Sequence, residues 1–192
     1  MEKGAKQSIN FQDLMLNRIH EILLVASPYD AFILEEDGRL TQQILYEYLG
    51  MNLSYAPRVW HAKSAKKGLQ MLADRSYDLV IVMMRITDMD PITFGENVKK
   101  DYPDKPMILL AFDESEISTL PQKRLKKTID RVYIWTGNAN VFPAIIKNIE
   151  DSMNIERDFK IADIRSIVMV EDNPRFYSII LPLIYRTALS HT

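Results

Sequence analysis

"YDLVIVMMRITDMD", residues 77–90, decides the fold of this chain. Its apolar run over residues 77–84 is almost continuous, which is typical of a strand covered on both faces, as in a parallel sheet between two layers of helices. Runs of the same kind, with a weaker one second in chain order, occur at residues 21–26, 58–62, 106–112 and 131–135. These runs predict five strands.

Helix-length segments separate these strands. In residues 64–75, Ser64 is a candidate N-cap, and Ala65, Leu69 and Leu72 form one apolar stripe. The predicted helices span residues 31–50, 64–75, 92–101, 115–128 and 139–153. The alternation predicts an α/β fold with a doubly wound, five-stranded parallel sheet, that is, one with helices on both faces. A further amphipathic helix is predicted over residues 11–19, within an N-terminal helical extension at residues 1–20.

Composition restricts the function. The 192 residues are 47% hydrophobic and 26% charged, with 24 Lys and Arg against 26 Asp and Glu. A formal net charge of −2 offers no general attraction to nucleic acid or to an anionic membrane, so neither is expected as a partner. Without cysteine there is no disulfide and no cysteine-ligated zinc. No signal peptide or membrane-length apolar run is found, and a cytoplasmic location is expected.

No enzyme site is predicted from local motifs. The three histidines are far apart in the sequence, and the six glycines form no phosphate-binding loop. We therefore expect no catalytic residue, no metal ligand and no cofactor. A basic run over residues 122–131, with Lys123, Arg124 and Lys127, is either a contact for an acidic partner or a solvated helix face.

The chain contains an internal repeat. "ILLVASPYDAF" (22–32) and "IVMVEDNPRFY" (167–177) each combine an apolar strand signal with a nearby proline and an aromatic residue that begins the next helix. We expect a linker at residues 154–165 and the first βα unit of a second domain at residues 166–192. Because a lone βα unit cannot bury both faces of its strand, the chain is expected to be truncated relative to its architecture.

"ILLVASP" (22–28), the stretch at 77–90, "PMILLAF" (106–112) and "YIWTG" (133–137) together resemble the receiver domain of response regulators, over residues 21–153. The resemblance implies a flavodoxin-like receiver fold. In receivers, acidic residues after the first strand hold Mg²⁺ and an aspartate ending the third strand takes a phosphoryl group. A hydroxyl residue and a lysine after the fourth and fifth strands contact that group.

The matching positions of this sequence lack those groups. The acidic pair corresponds to Ala26 and Ser27, the acceptor to Met83, the hydroxyl residue to Ala111 and the lysine to Thr136. A thioether cannot accept a phosphoryl group as a carboxylate does, and an alanine side chain offers no oxygen to a cation. The resemblance therefore implies a degenerate receiver that has lost its phosphate acceptor.

Several nearby residues leave alternatives open. Asp88 and Asp90 are either displaced acceptors or turn and helix-capping residues, and Asp113, Glu114 and Glu116 are expected to cap the following helix. Tyr133 is expected in an interface or in the core, and Trp135 is a further interface candidate. Glu171 and Asp172 are either the acidic pair of the second copy or a helix cap.

The sequence favours a non-phosphorylatable receiver-like module that is not an enzyme and acts by protein contact. It further resembles the receiver-like region preceding the catalytic part of bacterial proteins related to phosphoenolpyruvate synthase and pyruvate, phosphate dikinase. This resemblance implies that the partner is a protein or an adjoining enzyme domain, and a homodimer is a further option. Two rivals stay open: an active phosphorelay receiver with a displaced acceptor, and a flavodoxin-like small-ligand-binding domain.

Overall fold

A computed structural model describes residues 16–37, 39–50, 55–162 and 166–190. Five parallel strands form one sheet in the order β2-β1-β3-β4-β5. The strands are β1 (Glu21–Val25), β2 (Arg58–Ala62), β3 (Leu79–Met83), β4 (Met107–Ala111) and β5 (Arg131–Ile134). The predicted five-stranded α/β fold is therefore confirmed, and β1 and β3 flank the point at which the strand order reverses.

Helices cover both faces of the sheet. They are α1 (Pro28–Phe32), α2 (Leu40–Gly50), α3 (Ala65–Asp74), α4 (Pro91–Asp101), α5 (Glu114–Ser118), α6 (Gln122–Thr128), α7 (Val141–Ile161) and α8 (Pro174–Ser190). One core cluster joins the sheet to α1, α2 and α7, and the other joins it to α3, α4 and α6. None of the described helices is long and apolar enough to cross a membrane.

Two predicted helices are each divided. Residues 31–50 form the end of α1, a π-helical turn at Ile33–Asp37 and then α2, which follows Arg39 with its positive φ of 45°. Residues 115–128 divide into α5 and α6 around Pro121, because proline cannot supply a backbone N–H to a continuing helix. The helical character of both segments was predicted, whereas the breaks were not.

Helix α7 replaces most of the predicted linker. It continues to Ile161, and Asn154 is buried although the surrounding sequence is polar. The Asn154 side chain accepts a hydrogen bond from the Asn17 backbone N–H (2.9 Å) and donates one to the Asn17 carbonyl (2.7 Å). Glu150 accepts a hydrogen bond from the Ile19 N–H and pairs with the buried Lys147 at 2.6 Å. The polar residues of this helix therefore bind the segment that precedes β1.

The predicted N-terminal helix lies mostly outside the described residues. Its last part, residues 16–19, is not helical and lies against α7 in the contacts just given.

The second copy does not form its predicted strand. Residues 166–173 have no secondary structure in the described part of the chain, and the apolar side chains of Ile167, Val168 and Val170 are exposed. A strand signal without a neighbouring strand has nothing to pair with, which accounts for the difference. The helix that follows, α8, packs on β5 and α7 of the first domain. That residues 166–192 begin a second receiver stays a prediction.

Candidate functional site

The sheet register brings the ends of three strands together at its carboxyl edge. Val25 lies beside Val82, so the next residues, Ala26 and Met83, are neighbours at the end of β1 and β3. Met83 in turn lies beside Leu110 of β4, immediately before Ala111. In a doubly wound sheet this edge, at the reversal of strand order, is where ligands and reacting groups are held.

The side chains at the centre of this edge carry no oxygen. Ala26, Met83 and Ala111 are fully buried in the two core clusters. The Ser27 hydroxyl is occupied as the N-cap of α1, since it accepts a hydrogen bond from the Asp30 N–H at 3.1 Å. Thr136 follows β5 and is exposed. Three of the positions implied by the resemblance, Ala26, Met83 and Ala111, therefore lie together, and their side chains supply only methyl groups and a thioether.

An ion pair spans the edge above these residues. The Arg85 guanidinium, just beyond β3, donates from Nε and Nη2 to Oε1 of Glu116 at 3.2 Å and 3.0 Å. The second carboxylate oxygen of Glu116 accepts the Phe112 backbone N–H at 2.9 Å. The pair therefore ties the loop after β3 to α5 and to the end of β4. Glu116 was predicted to cap and charge-complement the following helix; it lies in the first turn of α5, as predicted, and makes these contacts in addition.

Asp30 is the site residue that the sequence did not single out. It lies in α1, its side chain is only 1% exposed, and within the described residues neither carboxylate oxygen has a hydrogen-bond partner. Burial raises the pKa of Asp30 above its ordinary value of 3.8, although the Ser27 side chain and the positive charge of Arg85 act in the opposite direction. The negative charge of Glu116 adds to the increase. Asp30, Arg85 and Glu116 therefore form one electrostatic group at the edge.

The two candidate displaced acceptors serve as helix N-terminal ligands. Asp88 accepts hydrogen bonds from the Ala65 and Lys66 backbone N–H groups at 2.7 Å and 3.0 Å. Burial alone would raise the pKa of Asp88, but these hydrogen bonds outweigh it and lower the pKa below its ordinary value. Asp90 is the N-cap of α4 and accepts the Ile92 and Thr93 N–H groups.

Two further predicted capping roles are found. Asp113 caps α5 by accepting the Ser115 N–H at 2.7 Å, and Ser64 caps α3 by accepting the Lys67 N–H at 3.2 Å. The cap of α8 is Asn173, whose side chain accepts two backbone N–H groups of that helix.

The edge does not fit the magnesium ion that receivers hold. Magnesium takes oxygen ligands in an octahedral arrangement, usually from carboxylates. Ala26 offers only its backbone oxygen, which lies 3.1 Å from a ring nitrogen of His61. The carboxylates nearest the edge, Asp30 and Glu116, are accompanied by the guanidinium of Arg85, which would repel a divalent cation. The described residues contain no group of three His, Asp or Glu side chains arranged to hold a metal.

The predicted interface residues divide into two groups. Tyr133 and Trp135 are buried: Tyr133 contacts the ring of Tyr177 in α8 at 5.6 Å, so of the two alternatives for Tyr133 the core position is found. Lys123 and Lys127 are exposed on α6. Arg124, also on α6, pairs with Glu96 at 2.8 Å. Of the acidic pair predicted for the second copy, Glu171 accepts the Asn173 N–H and Asp172 is exposed before α8.

Comparison with known proteins places the fold among receivers. No family model matches the chain, and no curated protein matches it. A signal receiver domain of an HD domain-containing protein from Pseudomonas fluorescens Pf-5 is 25% identical, with a TM-score of 0.54 over 74% of this chain and 95% of that one. A CheY-like receiver domain protein from Methanospirillum hungatei JF-1 is 18% identical, with a TM-score of 0.54 over 72% of this chain and 98% of that one.

A receiver domain from Clostridium thermocellum is similar at the same level. It is 16% identical, with a TM-score of 0.52 over 72% of this chain and 99% of that one. The chain therefore has the flavodoxin-like fold of these receiver domains.

Proposed function

We propose that this chain, whose fold is that of receiver domains, is a signalling module that accepts no phosphoryl group and acts through contact with another protein. The observation that carries the proposal is the lining of the carboxyl edge, where Ala26, Met83 and Ala111 are fully buried and supply neither a nucleophile nor a cation ligand. Phosphoryl transfer needs both a positioned nucleophile and compensation of the developing negative charge.

The ion pair at the edge supports a module held in one state. In place of a bound cation and a phosphoryl group, Arg85 and Glu116 connect the loop after β3 to α5. Because Glu116 also accepts the Phe112 N–H, moving α5 away from the sheet would break three hydrogen bonds at once. We infer that the surface around α5 keeps one arrangement without chemical activation.

The rival hypothesis of a displaced acceptor is less well supported. Phosphorylation turns a carboxylate oxygen into an uncharged ester oxygen, which is a weaker hydrogen-bond acceptor, and Asp88 uses both of its oxygens to bind the first N–H groups at α3. Asp90 similarly caps α4. Phosphorylation of either residue would cost a helix cap, which contributes about 0.5–2 kcal/mol to stability.

The partner is proposed to be a protein that contacts α6. This helix presents the exposed side chains of Lys123, Lys126 and Lys127, which have no ion-pair partner among the described residues. Such a surface suits an acidic protein segment. That the partner is an enzyme or an adjoining enzyme domain stays a prediction.

The proposal is tested by incubating the chain with acetyl phosphate and Mg²⁺ and measuring its intact mass, with a receiver that has an acceptor aspartate treated in parallel. We expect the phosphate adduct only on the control protein. An adduct on this chain that disappears in Asp88→Asn or in Asp90→Asn would establish the rival hypothesis instead. Addition of Mg²⁺ with beryllofluoride should likewise leave the thermal unfolding temperature unchanged.

A further inference from the structure

Helix α8 lies outside the two layers of helices that cover the sheet. Those layers are formed by α1, α2 and α7 on one face and by α3, α4 and α6 on the other. Helix α8 lies instead beside β5, an edge strand of the sheet, and against α7. Residues 166–173, immediately before it, form no helix or strand. The position of α8 therefore depends on its own contacts with β5 and α7.

Hydroxyl groups make the hydrogen bonds between α8 and the domain. The Ser178 hydroxyl accepts the backbone N–H of Ile134 at 2.8 Å, so a side chain satisfies an outward N–H of the edge strand. Two turns further along, the Tyr185 hydroxyl donates to the carboxylate of Asp151 on α7 at 2.5 Å. A single hydrogen bond of this kind adds little net stability, because water replaces it when the two surfaces separate.

The apolar surface of α8 is only partly used. Among its described side chains, those of Tyr177, Ser178 and Leu181 alone are buried. A helix that belongs to a core ordinarily turns its apolar residues inward. Here four large apolar side chains are between 39% and 60% exposed, namely Phe176, Ile179, Ile180 and Leu183. Burial of apolar surface therefore holds α8 on the domain less firmly than it holds the helices of the two layers.

We propose that α8 is a reversible cover of the β5 edge, which opens as a unit while the sheet and its two helical layers stay folded. Elements with few buried apolar contacts open at a lower free energy than the core does. Opening frees the Ile134 N–H and uncovers the buried ring of Tyr133, which lies 5.6 Å from that of Tyr177. An uncovered edge strand is a template for an extended segment of another protein, so α8 competes with such a segment. This inference does not rest on the proposed function.

Native-state amide hydrogen exchange of the full chain, measured by NMR, tests the opening. The Ile134 N–H reports on α8, because its acceptor is the Ser178 hydroxyl. The Val80 N–H reports on global unfolding, because it is bonded to the Pro106 carbonyl at 3.0 Å between the central strands β3 and β4. We expect the protection factor of Ile134 to be lower than that of Val80 by about tenfold or more. Equal protection of the two amides overturns the proposal, since α8 would then open only when the whole domain unfolds.

Tyr185→Phe tests whether the helix opens as a unit. The variant removes the hydrogen bond to Asp151 and leaves the acceptor of the Ile134 N–H in place. Because α8 is continuous through Pro182, loss of this distant contact should lower the protection of Ile134 by about two- to tenfold. Unchanged protection of Ile134 in this variant also overturns the proposal, since opening would then be confined to the surroundings of Ser178.

Tyr102→Phe is the matched control within the helical layers. It likewise removes one tyrosine hydrogen bond, from the Tyr102 hydroxyl to the Leu72 carbonyl at 3.0 Å. That contact is the same whether α8 is closed or open, so the variant should lower the protection of Val80 by about two- to tenfold and leave that of Ile134 unchanged. A fall in protection that is equal at both amides contradicts a separate opening of α8. Circular dichroism establishes that each variant is folded.

Discussion

The buried carboxyl group of Asp30 has a consequence for stability that can be measured. The side chain is 1% exposed and has no hydrogen-bond partner within the described residues, and its pKa is raised, chiefly by burial. The folded protein therefore holds the Asp30 proton to higher pH than the unfolded chain does. Its contribution is fully favourable below pH 3.8 and is lost as the pH rises through the raised pKa.

Asp30→Asn removes the ionisation and keeps the shape of the side chain. A buried polar group without a partner costs about 1–3 kcal/mol, which the asparagine amide still bears, and a charged group costs more, so the variant removes only the excess cost of the charge. The aspartate also lies in the first turn of α1, where a negative charge contributes about 0.3–1 kcal/mol, which the variant would lose. We expect Asp30→Asn to be more stable than wild type by about 1–2 kcal/mol at neutral pH. For a chain of this length, that is a rise of about 2–8 °C in unfolding temperature.

Thermal unfolding followed by circular dichroism, at about pH 5 and at about pH 8, separates this effect from simple repacking. The advantage of the variant should be small at the lower pH and larger at the higher one. Asp88→Asn is the matched control: the pKa of Asp88 is lowered, so its carboxylate is ionised at both pH values and its variant should lose a similar amount of stability at each. A difference between wild type and Asp30→Asn that is the same at both pH values would refute the assignment of Asp30 as a buried, ionisable group without a partner.

Two further changes test contacts made by α7 and α8. Glu150→Gln should destabilise the fold by about 3–5 kcal/mol in urea unfolding, because it leaves the buried charge of Lys147 unpaired. Joint replacement with Lys147→Met should recover most of this loss. A loss under about 1 kcal/mol in the single variant would contradict the buried pair. Ser178→Ala should cost about 1–3 kcal/mol by leaving the Ile134 N–H unsatisfied, and faster amide hydrogen exchange at Ile134 checks the cause. Unchanged exchange there would mean that another acceptor replaces the hydroxyl.

The sheet was predictable because its three central strands are buried on both faces. All five residues of β3, Leu79–Met83, are buried. The sequence there is therefore a continuous apolar run, unlike the alternating apolar and polar residues of a strand with one solvent-exposed face. The resemblance to receivers identified Ala26, Met83 and Ala111 as site positions at strand ends, and the parallel sheet brings these ends to one edge. That these three side chains offer no oxygen to a cation or a phosphoryl group follows from their residue types.

The charges at the edge could not be predicted in the same way. Arg85 and Glu116 are 31 residues apart, and only the packing of α5 brings them to hydrogen-bonding distance. Asp30 follows a proline at the start of a short helix, where an acidic residue is ordinarily a solvated partner of the helix dipole. Its burial depends on tertiary contacts, so its sequence position carried no signal.

Polar composition was misleading at the end of the domain. Asn154 was assigned to a linker because its neighbours are charged, but polar side chains at helical spacing on α7 bind the backbone of residues 17–19. Because α7 binds this extended segment through polar side chains, its contact face there shows no hydrophobic periodicity. The strand predicted at the start of the second copy failed for the complementary reason, since a strand signal needs a neighbouring strand to be realised.

The contacts between α7 and the segment before β1 have an evolutionary consequence. Glu150 and Asn154 recognise residues 17 and 19 through main-chain atoms, which every amino acid except proline supplies in the same form. Relatives of this chain can therefore have any residue except proline at position 17, losing only the exposed 3.4 Å bond from the Asn17 side chain to the Met153 carbonyl, while positions 150 and 154 stay constrained. One half of this contact would then be invisible to any search that relies on sequence similarity.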